Sequence, residues 1–101
     1  MYKDNEIGLE IYHNYNVILD LYKRKGTSSS KLLKLSELLE YFNNNYEHFN
    51  ENEKKVVKNV IIIANDIINK SNSVYGKSRE ERINCINLIN NLNNMQKEPI
   101  K

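Results

Sequence analysis

Few residues in this chain have the chemistry to react or to hold a metal: two histidines, His13 and His48, one cysteine, Cys85, and a serine-rich run ahead of Lys31. A metal centre needs ligands at set spacing, and the sequence holds no His-Glu-x-x-His, no cysteine pair and no calcium loop. Di-iron bundles carry Glu-x-x-His on two helices, and the chain does not have two. Glu47-His48 reads as a solvated helix end. A reactive thiol wants exposure and a nearby positive group, whereas Cys85 falls on an apolar helix face and reads as a small buried hydrophobe. Gly26-Thr27-Ser28-Ser29-Ser30-Lys31 has part of a phosphate loop's composition but lacks the Gly-Lys-Ser/Thr ending and the preceding strand. The reading is therefore not an enzyme, with no cofactor and no metal.

The elements that would position these groups are helices. The chain has 101 residues, enough for a single domain with one core and no staple. Gly and Pro are sparse, and the apolar residues recur at helical rather than alternating spacing, so the fold class is all-α. The organising stretch is Glu53–Ile68, where Val56, Val57, Val60, Ile61, Ile63, Ala64, Ile67 and Ile68 form a broad apolar band. A band that wide needs more than one neighbour. Asn50 and Glu53 supply a capping box for it.

The other helices follow from stripes and caps. Helix 1 spans about 4–25, with Asp4 as N-cap, Gly26 as stop, and Ile7, Ile11, Tyr15, Ile18 and Tyr22 as its stripe, widened by Tyr12 and Leu19. Leu9, His13 and Val17 fall outside it. Helix 2 spans about 30–47, with Leu32, Leu35, Leu39, Phe42, Tyr46 and Phe49 as a three-four seam, broadened by Leu38. Helix 3 covers about 51–70, and the short joint before it makes helices 2 and 3 antiparallel neighbours. Helix 4 covers about 79–96, opened by a Ser78–Glu81 capping box, with Cys85, Ile86, Leu88, Ile89, Leu92 and Met95 inward. Val74 or Tyr75 plugs the bundle end, and the tail 97–101 is loose. Four such helices give an antiparallel up-down-up-down four-helix bundle.

Composition narrows the partners. A net charge of +2 is too mild to announce nucleic acid. Helix 4, with Arg79, Arg82 and its asparagines, is the element that would meet DNA or RNA, but Glu80 and Glu81 answer Arg82. The asparagine runs read as base-composition drift. One cysteine, no signal-like start and no long apolar run place the protein in the cytoplasm. Two surfaces stand out as candidates. Leu33, Tyr41, Ile62 and Tyr75 lie off their helices' main faces and are candidate protein-binding residues, tyrosine being favoured at hot spots. Leu9, Val17 and Ile83 share that off-face position. Lys23, Arg24, Lys25, Lys31 and Lys34 gather around the first joint as a candidate contact for an anion or acidic lipid. The Leu32–Phe49 seam can pair across a homodimer as well as within a monomer.

From Ile11 to Leu92 the layout resembles the immunity proteins that protect producers of pediocin-like bacteriocins. The resemblance is carried by Leu32-Leu33-Lys34-Leu35 opening helix 2, Val56-Val57-Lys58-Asn59-Val60 opening helix 3, and the amphipathic Glu80–Leu92 segment. The tail after helix 4 is shorter than the family's. The resemblance implies a cytosolic four-helix bundle that recognises a membrane sugar-transporter receptor complexed with the toxin, and it transfers no functional residue. Binding and blocking a protein partner is thus the leading expectation. A phage or mobile-element inhibitor of a host enzyme, or a small nucleic-acid-binding regulator using helix 4, are the alternatives.

Overall fold

In the computed structural model, residues 2–25, 29–71 and 76–97 are described, with side chains for 9–25, 29–71 and 79–97. Helix α1 runs Tyr2–Lys23, α2 Ser29–Asn45, α3 Glu51–Asn69 and α4 Gly76–Lys97. A single 3₁₀ turn, Tyr46–His48, sits between α2 and α3. The fold is an all-α four-helix bundle, with no strand among the described residues.

The local signals explain most boundaries. At α3 the Asn50 side chain accepts from the Glu53 amide at 2.8 Å, and the Asn50 amide donates back to Glu53 Oε1 at 2.9 Å. That satisfies two of the helix's free donors and fixes its start. Two other starts differ from expectation. α1 begins at Tyr2, so Asp4 lies inside its first turn rather than capping it. α4 begins at Gly76, so Ser78 lies within the helix and the Ser78–Glu81 pair does not frame its start. Asn43–Asn45 forms the last turn of α2: the Asn45 side-chain amide donates to the Tyr41 carbonyl at 2.8 Å, and the chain tightens into the 3₁₀ turn. Gly26, Val74 and Tyr75 lie outside the described residues.

Direction alternates along the chain, but adjacency is not sequential. α1 and α3 run the same way, since Tyr22 meets Lys70 at their C-terminal ends while Glu10 and Glu53 both bear on Tyr41 near their starts. α3 and α4 run oppositely, joined by Gln96 to the Lys54 carbonyl at one end and Arg82 to Ser71 at the other. α2 lies along α4, its most extensive neighbour, while α2 and α3 touch little. The order around the bundle is therefore α1, α3, α4, α2, with α2 and α3 on a diagonal. The expectation that α2 and α3 pack as neighbours fails here. A short joint dictates reversal of direction, but the 3₁₀ turn and Phe49, packed on Tyr41, Phe42 and Tyr46, carry the chain across the bundle end.

The core follows the predicted seams closely. Leu32, Leu35, Leu38, Leu39, Phe42, Tyr46 and Phe49 of the second seam are all buried, as are Val57, Val60, Ile61, Ala64, Ile67 and Ile68 of α3. Cys85, Ile89 and Leu92 bury the inner face of α4. In α1 the face is rotated: Leu21 is buried beside Ile11 and Ile18, Val17 packs against the core, and Tyr12 and Tyr22 are exposed. Phe42 is the largest fully buried side chain. Phe42→Ala is expected to cost about 3–5 kcal/mol, and Asn50→Ala about 1 kcal/mol, both read by urea denaturation.

Candidate functional site

The four candidate protein-binding residues do not converge. Leu33 is exposed on the outer side of α2 and Ile62 on the outer side of α3. Those helices occupy opposite corners of the bundle, so the two residues stand on elements that barely touch. Tyr75 lies outside the described residues. Tyr41 is half-buried, its ring edge-on to Phe42 at 5.2 Å and tilted against Phe49 at 6.3 Å. Its hydroxyl is closed off from solvent with no hydrogen-bond partner among the described residues. Burial, then the charges of Glu10 and Glu53, push its phenol up to about 12. Tyr41 thus belongs to the aromatic plug at the α2–α3 joint.

Another surface takes shape between α1 and α3. Tyr22 donates to the Asp66 carboxylate and lies under the Lys70 ammonium, 5.1 Å from the ring centre, which sets the register of these parallel neighbours. At about 1.5 Å of rise per residue, Ile62 then stands at a height between Tyr12 and Leu19. Ile62 is 63% exposed, Tyr12 47% and Leu9 74%, while Leu19 is half-buried. Sequence reasoning placed Tyr12 inside because it centred the α1 stripe on Tyr15 and Tyr22. The Ile11–Asn14–Ile18–Leu21 spacing was the signal for the correct centre.

The basic residues do gather. Lys23, Arg24, Lys25 and Lys34 are exposed and make no ion pair among the described residues. Lys31 Nζ donates to the Arg24 carbonyl at 2.9 Å, answering one of the free carbonyls at the end of α1. Burial, together with repulsion from Arg24 and Lys70, lowers its ammonium pKa. Lys70, bridged to Asp66 one turn back at 3.2 Å as their i,i+4 spacing allows, joins the same end of the bundle.

The groups chosen for chemistry turn out to be structural or dispersed. Cys85 is fully buried, its thiol donating to the Leu32 carbonyl at 3.4 Å. Burial, then Glu81, pushes that thiol up to about 12. Glu10 stands three residues before His13, but both are exposed. No group of three metal-capable side chains occurs among the described residues. On α4, Arg82 donates to Ser71 Oγ at 3.2 Å, which draws it from the surface a nucleic acid would use. Asn43, read as compositional drift, instead ties α2 to α4 by donating to the Leu39 and Leu88 carbonyls at 3.0 and 3.2 Å. A cleft of about 260 Å³ opens where α3 meets the end of α4, lined by Tyr46, Glu51, Lys54, Lys55, Lys58, Met95 and Gln96, with Lys54 held 5.2 Å over the Tyr46 ring.

No family model, no curated protein and no solved structure matches the chain. No helix among the described residues is long and apolar enough to cross a membrane.

Tyr41→Phe removes a buried, unpartnered hydroxyl and is expected to raise stability by about 1 kcal/mol, measured by thermal unfolding. The raised Tyr41 and Cys85 pKa values also set an alkaline limit. The unfolded chain loses these protons near their ordinary 10.0 and 9.0, while the folded chain holds them to about 12. The unfolded state therefore binds fewer protons across that window, and stability falls as pH rises through it. Denaturant titrations from pH 7 to about 11 check this, and Cys85→Ala should move the onset of the fall upward.

Proposed function

We propose that the protein is a non-enzymatic helical bundle that binds and blocks a protein partner through the outward face of α1 and α3. One observation supports this above the others: Ile62, 63% exposed, stands on a helix whose other large apolar residues are buried or half-buried, beside a helix that also exposes Leu9 and Tyr12. Scattered exposed apolar residues are ordinary, but α1 and α3 are adjacent and Tyr12 stands near the height of Ile62, which favours contact with one partner. Lys58, Asp66 and Asn69 surround Ile62 on α3, giving the polar rim that such contacts carry.

On the resemblance to bacteriocin immunity proteins, the partner is a membrane sugar-transporter receptor holding a pediocin-like peptide, met from the cytoplasmic side. Blocking then means holding that complex in a closed state by occupying it. Transfer of the gene into sensitive cells is expected to protect them against a pediocin-like peptide. Ile62→Glu is expected to raise sensitivity about tenfold or more, equivalent to roughly 1.4 kcal/mol of lost contact energy. Its unfolding midpoint should stay near that of the parent, since the side chain touches solvent. Absence of protection against every such peptide defeats the immunity reading. Capture of a nuclease rather than a transporter subunit from host lysate would turn the same surface to inhibition of a host enzyme.

A further inference from the structure

The bundle end formed by the close of α1 and α3 and the start of α2 and α4 carries cations at all four helix termini. Two of these are electrostatically ordinary. Lys23 in the last turn of α1 and Lys70 at the close of α3 sit where the helix dipole favours positive charge. The other two run against the dipole. The first turns of α2 and α4 contain no acid, yet Lys31 and Lys34 stand in the opening turns of α2, and Arg79 in the first turn of α4. Cations there weaken their own helices. The crowding is felt within the end itself, as Arg24 and Lys70 both repel Lys31. On these stretches of α1, α2 and α3 the carboxylates are Asp20, Glu37 and Asp66, and Asp66 is taken by Lys70 and Tyr22. On α4, Glu80 and Glu81 adjoin Arg79 and Arg82.

Tyr22 adds a second, independent feature. It is 40% exposed at this same end, held between Asp66 and Lys70 with part of its ring toward solvent. A tyrosine with an apolar ring and a polar tip, set among lysines, is the combination found at the headgroup level of bilayers.

We propose that this end is a docking surface for an anionic lipid bilayer, with Lys23, Arg24, Lys25, Lys34 and Lys70 meeting acidic headgroups and Tyr22 resting at their level. A bilayer suits the arrangement better than a nucleic acid does. The cations project from the tips of helices across the blunt end of a particle measuring 44 × 28 × 17 Å, rather than along one helix that could enter a groove. A flat field of headgroups accepts such separate charges additively. The proposal is independent of the α1–α3 contact surface, which lies along the bundle's side.

Sedimentation of the full chain with lipid vesicles tests it. Retention is expected on vesicles of mixed phosphatidylcholine and phosphatidylglycerol, weakening as salt rises, and not on vesicles of phosphatidylcholine alone. Each lysine neutralised should lower partitioning about fivefold, so the double variant Lys25→Gln with Lys34→Gln should lose about twentyfivefold. The double variant Lys55→Gln with Lys97→Gln, at the opposite end and exposed, should bind as the parent does. Helical content measured by circular dichroism keeps loss of charge distinct from loss of fold. Equal retention on neutral vesicles, no retention on anionic ones at low salt, or tighter retention on duplex DNA than on anionic vesicles would overturn the proposal.

Discussion

The breadth of the apolar band on α3 is the constraint from which the arrangement follows. Val57, Val60, Ile61, Ala64, Ile67 and Ile68 wrap too far around the helix for one neighbour to cover. Each of the Val and Ile side chains gains about 1.5–3 kcal/mol by full burial, so leaving either flank wet would consume much of a small domain's net stability. α1 takes one flank and α4 the other. With both flanks occupied, α2 has only the far corner, where its own leucine and phenylalanine seam closes on α4 and α1. The diagonal passage from α2 to α3 is the consequence, and the Tyr41, Phe42, Tyr46 and Phe49 rings seal the end over which it passes.

That arrangement spends the chain's few reactive or versatile side chains on holding it together. Glu53 closes a capping box, Asn43 ties α2 to α4, the Cys85 thiol donates a hydrogen bond to a carbonyl of α2, and Lys31 answers a carbonyl at the end of α1. Ser71 both closes α3 against the Ile68 carbonyl at 2.7 Å and receives Arg82. What is left outside includes apolar surface, most exposed on α1 and α3, and positive charge at one end. In the proposals made above both serve to meet another surface, one along the side of the bundle and one at its end.

The electrostatic asymmetry has the same origin. Parallel neighbours place like termini together, so α1 and α3 bring two carbonyl-rich ends side by side, and cations collect there. Those cations then face the opening turns of α2, the first of which contains no acidic residue. A sequential bundle, with every neighbour antiparallel, would have alternated positive and negative termini around each end and diluted the charge. The proposed lipid contact thus depends on the same diagonal that the α3 band imposes.

Periodicity was enough to read the helices and the seam faces of α2, α3 and α4, because burial of one face is a property of each helix alone. It also exposed Ile62 and Leu33 as off-face residues, since a single apolar side chain on a polar flank is visible in one helix's pattern. Capping was legible at α3, where both partners lie within four residues, and misleading at α4, whose start precedes the Ser78–Glu81 pair. Adjacency was not legible: a short joint constrains direction, while the choice of neighbour depends on how four apolar faces fit together. For the same reason only the tertiary structure could close off the Tyr41 hydroxyl, choose α1 and α4 as the neighbours of α3, and place Leu33 and Ile62 on opposite corners. Each of those outcomes is a relation between helices distant in sequence, and no local pattern carries it.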